Sequence, residues 1–139
     1  MFTRLRVIGS IVLSFVVLSV CGFAALALGG SVVATFRGEW VPAKARCTSP
    51  LRLIIEPNTV TFVKGDDREE FRKLDQCFTC MGHDVKDVTL LSTDAMGDSP
   101  FMIYLDGSKR KAAVQVEFPN DKKLGQRFPF GRTPLKKCK

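Results

Sequence analysis

Apolar and polar side chains alternate with a period of two residues along most of the chain after Gly38. Leu51, Leu53 and Ile55 fall on one face and Arg52, Ile54 and Glu56 on the other. Pro57-Asn58 then turns the chain, because Pro presets φ and Asn tolerates tight backbone, and Val60 to Val63 returns as the second arm of a hairpin. Val85 to Ser92 reads as a further strand. Phe101, Ile103 and Leu105 line one face of another, Asp106-Gly107 turns, and Val114, Val116 and Phe118 oppose Gln115 and Glu117 on the way back. One segment departs from this rhythm. "DDREEFRKLDQCF" places Asp66 or Asp67 at an N-cap, acids early and bases late, and Phe71, Leu74 and Phe78 on one stripe. That spacing predicts a short helix from about residue 67 to 77. The expected fold is mainly β (α+β): a small antiparallel barrel or sandwich carrying that one helix, after an N-terminal apolar helix.

The N-terminal segment sets the compartment. Arg4 and Arg6 precede a run, Val7 to Phe36, in which no side chain is charged. A secretory signal has about 7–15 apolar residues before a small-residue cleavage site, and about 20 span a bilayer. Residues 1–34 are therefore either a signal peptide, cut after Ala25-Leu26-Ala27 or Val32-Val33-Ala34, or a membrane anchor through residues 7–29. Lipid attachment at Cys21 is the third form of export. In each, residues 35–139 lie outside the cytosol, periplasmic or secreted, or anchored in the inner membrane with the domain outside.

An exported domain of this size has a small core and is commonly braced by disulfides. Four cysteines remain beyond the apolar run: Cys47, Cys77, Cys80 and Cys138. The motif "CFTCMGH" puts two of them three apart, with the chain's single histidine, His83, three further on. A haem site needs His directly after the second Cys, and Met81-Gly82 intervene. A catalytic C-x-x-C sits at a helix N-terminus, whereas this one falls at the end of the expected helix. Cys47, Cys77, Cys80 and His83 make a conceivable zinc set, and a thiol-disulfide or metal-dependent protein is the alternative reading of the motif. Structural crosslinks fit the compartment best. Of the three possible connectivities, bonds from Cys47 and Cys138 to the central pair close the longer loops and are favoured on chain entropy. No phosphate-binding glycine loop, dinucleotide fingerprint or catalytic triad is present in the sequence, so neither a catalytic residue nor a cofactor is assigned.

Charge adds a candidate surface. The chain carries a formal net charge of +7, and ten Lys or Arg fall between Lys109 and Lys139 against Glu117 and Asp121. Lys109-Arg110-Lys111, Lys122-Lys123 and Lys136-Lys137 are local clusters. Such a face attracts an acidic protein surface or an anionic envelope component. Nucleic acid is disfavoured by export and by the lack of a stacking module. In "RFPFGR", Arg127 and Arg132 flank Phe128 and Phe130. The two phenyl groups either cover an open barrel end or join the arginines in a binding patch.

Gly38-x-Trp40, followed by Cys47, Leu53-x-Ile55 and Val60-x-Phe62, resembles the opening of lipocalin-like and other small bacterial exported β-barrel proteins. Some of those inhibit lysozyme or other wall hydrolases. The resemblance implies a barrel whose first strand carries the Trp, with a late arginine, Arg127 or Arg132, packed on it. It also implies binding without catalysis, as an inhibitor or immunity protein against a secreted or wall-directed enzyme. A membrane-tethered structural part of an envelope assembly is the other non-enzymatic expectation.

Overall fold

The computed structural model describes residues 31–80, 87–93, 97–108 and 112–139. The apolar run through residue 30, His83 and the Lys109-Arg110-Lys111 cluster lie outside the described residues.

Nine antiparallel strands form one nearly closed, barrel-like sheet, as the alternation predicts. They are β1 (Gly38–Pro42), β2 (Leu51–Ile55), β3 (Thr59–Lys64), β4 (Asp67–Arg72), β5 (Leu74–Cys77), β6 (Val88–Thr93), β7 (Met102–Asp106), β8 (Ala113–Glu117) and β9 (Leu135–Lys137). Their order in the sheet is β4-β3-β2-β1-β9-β8-β7-β6-β5. The two expected hairpins are present, with Leu53 opposite Phe62 and Ile103 opposite Val116. The short β9 closes the middle of the sheet, pairing Trp40 with Lys137 and Val114 with Leu135.

The stretch expected to be helical is instead strand, in β4 and β5. Two local features decide it. Gly65, at φ 63°, opens a two-residue turn between Lys64 and Asp67, the glycine-first pattern of tight hairpins. The charged run then alternates: Glu69 and Phe71 lean inward while Arg68, Glu70 and Arg72 face water. Six ladder pairs with β3 outweigh the helix-dipole pattern of acids and bases. Lys73 alone separates β4 from β5, in the left-handed conformation at φ 57°. One bent strand thus leaves β3 and joins β6, so the sheet's two edges are neighbours in the chain. An exposed edge invites pairing with other chains; here the edges meet through a single residue.

The one described α-helix is α1 (Lys122–Arg127), six residues long. Asp121 caps it by accepting from the Leu124 N–H at 2.8 Å. A side chain at Gly125 would reach within 3.2 Å of the Phe118 ring, so the glycine lets α1 lie flat on Phe118.

The barrel is filled, not hollow. Trp40, Leu53, Phe62, Leu91, Phe101, Ile103, Val114, Val116 and Phe128 are completely buried in one cluster. The Phe62 ring meets those of Phe71, Phe101, Phe118, Phe128 and Phe130 at 5.1–5.9 Å between centroids. Edge-to-face and tilted pairs of this kind each add about 0.5–1.5 kcal/mol beyond the area they bury. Polar contacts hold residues 97–101: buried Ser99 accepts from the Thr93 N–H and donates to the Phe101 carbonyl, and Asn120 donates to the Gly97 and Ser99 carbonyls.

Candidate functional site

The two barrel ends are built differently. The first is closed by the chain's entry into the fold. Val32 is wholly buried, its N–H donates to the Pro57 carbonyl at 2.8 Å, and its carbonyl accepts from Arg37 Nε at 2.7 Å. A 3₁₀ turn at Ala34–Phe36 follows and sets Phe36 in the core against Gly107. The Phe36 carbonyl accepts from Trp40 Nε1 at 2.8 Å, which satisfies the one polar atom of a buried indole.

Gly38 and Trp40, the two residues of the G-x-W motif, both serve Lys137. Gly38 sits at φ 125°, and a Cβ there would lie 2.9 Å from Lys137 Cε. The lysine stem therefore lies against bare backbone. Its ammonium is 5.9 Å from the Trp40 ring centre and donates to the Thr35 carbonyl at 3.0 Å. The cation beside the tryptophan is thus Lys137, not Arg127 or Arg132 as the resemblance implies, because strand register sets Trp40 opposite Lys137. Beside this lysine a groove of about 600 Å³ opens where β8 and β9 splay beyond their single register pair. Thr35, Trp40, Ala112, Ala113 and Leu135 form its walls and Lys136, Lys137 and Lys139 its rim.

At the second end, the "RFPFGR" segment divides its labour. Phe128 and Phe130 are buried at 0% and 2% exposure, so they fill the barrel end and present no aromatic surface to a partner. Arg127 is spent internally as well. Its Nε and Nη2 grip both carboxylate oxygens of Asp67 at 3.1 and 2.6 Å, and Nη1 reaches Glu69 at 2.9 Å. Such a fork ties α1 to β4 across the barrel mouth. The Arg127 hydrogen bond holds the Asp67 carboxyl below its ordinary value, and the two acids push the guanidinium up. Arg132, by contrast, is 85% exposed, with Nε 3.2 Å from Glu117. It stands on the rim of a second groove of about 470 Å³, lined by Val116, Phe118, Pro119, Gly125 and Pro129. Burial, followed by the Glu117 charge, pushes the nearby Tyr104 phenol up.

The cysteines pair as Cys47–Cys138 and Cys77–Cys80, with Cα atoms 5.7 and 5.5 Å apart. The entropy-favoured pairing with the central cysteines is therefore wrong. Sheet order explains why: β9, which leads to Cys138, is separated from β5, which ends in Cys77, by β8, β7 and β6. The 43–50 loop instead folds back onto the tail beside β1, where Cys138 N–H donates to the Glu39 carbonyl. The helix-dipole argument about the C-x-x-C also lapses, since Cys77 ends a strand.

No family model matches this chain, and neither does a curated protein or a solved structure. What the sequence left unread is the Lys137 seat and the Arg127 clamp. Both join residues about sixty to a hundred positions apart, and only the strand register brings them together.

Proposed function

We propose that this chain is an exported cell-envelope protein that acts by binding and performs no catalysis. Its partner is a protein with an acidic surface. Inhibition of a secreted or wall-directed enzyme, as an inhibitor or immunity protein, is the concrete form of that activity. The observation that carries the reading is Arg132. It is the more exposed arginine of the RFPFGR segment, 85% exposed against 42% for Arg127, and with its partner Glu117 it stands at the rim of a groove with mostly apolar walls on a filled, disulfide-braced scaffold. A rigid frame with a solvent-facing arginine beside apolar walls suits protein recognition, where arginine is enriched at energetic centres. A packed interior favours contact through the surface over carriage of a small ligand inside.

The test uses the full chain as bait in envelope extract, with Arg132→Glu as the comparison. Charge reversal at a binding centre lowers capture about tenfold or more. Equal capture by both proteins removes Arg132, and this groove, from the reading. A second reading draws on Cys80 and Phe78, which are exposed, Phe78 at 61%. Exchange of the Cys77–Cys80 disulfide with a partner's dithiol would need that exposure. Thiol counts on material trapped from cells separate the two: a fully oxidised pair favours binding, and a fraction of free Cys77 and Cys80 favours exchange.

A further inference from the structure

β8 runs from one groove to the other: Ala112 and Ala113 line the lysine groove at its start, and Val116 to Pro119 line the arginine groove at its end. The two grooves thus belong to opposite ends of the barrel, and they differ in what lies next to them. The chain enters the fold at the lysine end. Ser31 and Val32 lead directly into the 3₁₀ turn whose Thr35 carbonyl holds Lys137. Upstream of them, Val7 to Gly30 carries no charge. Any membrane that holds this stretch therefore lies against the lysine end and away from Arg132.

The charges at that end suit such a surface. Among the described residues no carboxylate lies within ion-pair distance of Lys136 or Lys139, while the neighbouring Glu39 is engaged by Arg52 at 2.7 Å. Lys137 is fixed by Gly38, Trp40 and Thr35, which leaves the two flanking ammonium groups to face outward. Between them the walls are apolar, with half-buried Ala112 and Ala113 at the surface and buried Trp40 and Leu135 behind them. Ammonium groups over an apolar floor match a phosphodiester headgroup joined to its glycerol and acyl chains. Basic residues next to a membrane-held segment gain affinity for anionic lipid in this way.

We propose that the lysine groove at the entry end docks the phosphate headgroups of an anionic bilayer, seating the barrel on the membrane with the arginine groove facing away. This deepens the envelope reading, and it fails separately from it, since capture of a protein at Arg132 does not require lipid at Lys136 and Lys139.

The experiment places the full chain in vesicles of phosphatidylcholine, alone or mixed with phosphatidylglycerol. A membrane-impermeant amine reagent labels the lysines, and mass spectrometry reads the rate at each. Lys136 and Lys139 are expected to label more slowly in the anionic vesicles, on the order of fivefold each. Lys122 and Lys123, on α1 at the far end, keep their rates. The protection should fade in 1 M salt, where screening shortens to about 3 Å. Glycerol 3-phosphate in solution, without anionic lipid, should leave the rates unchanged. Equal labelling of Lys136 and Lys139 in the two vesicle types overturns the proposal. So does equal slowing at Lys122 and Lys123, which would mean unoriented charge attraction. Full protection by glycerol 3-phosphate alone would make the groove a site for a soluble phosphoester, and protection only on adding envelope protein would make it a protein site. Either outcome refutes docking on a bilayer.

Discussion

Val32 offers a direct test of where the folded domain begins. Its side chain is fully buried in the main cluster, its N–H is bonded to Pro57, and its carbonyl is bonded to Arg37. Val32→Ala deletes two buried methyl groups. At about 0.8 kcal/mol for each such group, with a further cost for the cavity left behind, the expected loss is about 2 kcal/mol. Removing residues 28–34 outright also deletes Val32's two hydrogen bonds and those that Ser31, Val33 and Ala34 accept from Arg37 and Phe36, each worth about 0.5–1.5 kcal/mol net. The chain no longer has to order residues 31–34, which offsets part of that loss. A protein starting at Thr35 should therefore fall below one starting at Leu28 by a similar amount, roughly 10 °C in Tm for a domain of this size. The assay is urea unfolding of both forms and of Val32→Ala, with disulfides intact and a common m-value. The consequence in cells is equally concrete. If the leader is cut, processing follows Ala27 and not Ala34, and mass spectrometry of the native N-terminus reads which. Identical midpoints for the two forms, or a native N-terminus at Thr35, would refute the claim that this segment plugs the barrel.

Other expectations follow from single contacts. Phe62→Ala, which removes the ring shared by five aromatic neighbours, should cost about 3–5 kcal/mol, read by chemical denaturation. Cys47→Ser with Cys138→Ser opens a crosslink spanning 91 residues and should cost about 4–5 kcal/mol, against about 2 kcal/mol for the pair three residues apart at Cys77 and Cys80; similar losses from both would contradict the pairing. Lys73→Val forces a β-branched side chain into the left-handed bend between β4 and β5 and should destabilise by about 1–2 kcal/mol, whereas Lys73→Gly should be near neutral. Asp67 has a lowered folded-state pKa, so its stabilising contribution is complete above the ordinary value of 3.8 and is lost as pH falls through the lower folded value. The stability gap between the native protein and Asp67→Asn should accordingly close only in that acid window, and a gap that persists well below it would rule out the Arg127 pairing as the cause.

Legibility in the sequence followed the range of each interaction. The β2–β3 and β7–β8 hairpins were readable because alternation and turn residues are local signals, and each strand there pairs with its sequence neighbour. The segment after Gly65 was misread for a physical reason. Acid-then-base order and an i, i+3, i+7 stripe suit a helix dipole and a helix face, yet the same residues alternate at period two. Only the partner strand β3 and the Gly65 turn select between them. The true helix was missed because six residues containing a glycine show no helical period. Its determinants are the Asp121 cap and the flat Phe118 ring beneath Gly125.

The same distinction governs the candidate surfaces. A basic tail looks uniform in the sequence, but packing sorts it into three kinds of cation. Arg127 is neutralised by Asp67 and Glu69 and serves as a structural clamp. Lys137 is laid along Gly38 and over Trp40 and holds the entry turn. Among the described residues, those left over retain charge that a partner can use: Lys122, Lys123 and Arg132, whose single contact with Glu117 leaves it 85% exposed, at one end, and Lys136 and Lys139 at the other. A cation clamped by two carboxylates, as Arg127 is, has given up most of its field, so counting arginines and lysines overstates the binding surface. What matters is where the unspent charge lies. Here it is divided between two ends of one rigid barrel, and that division is what would let one face rest on an anionic membrane while the other meets an acidic protein.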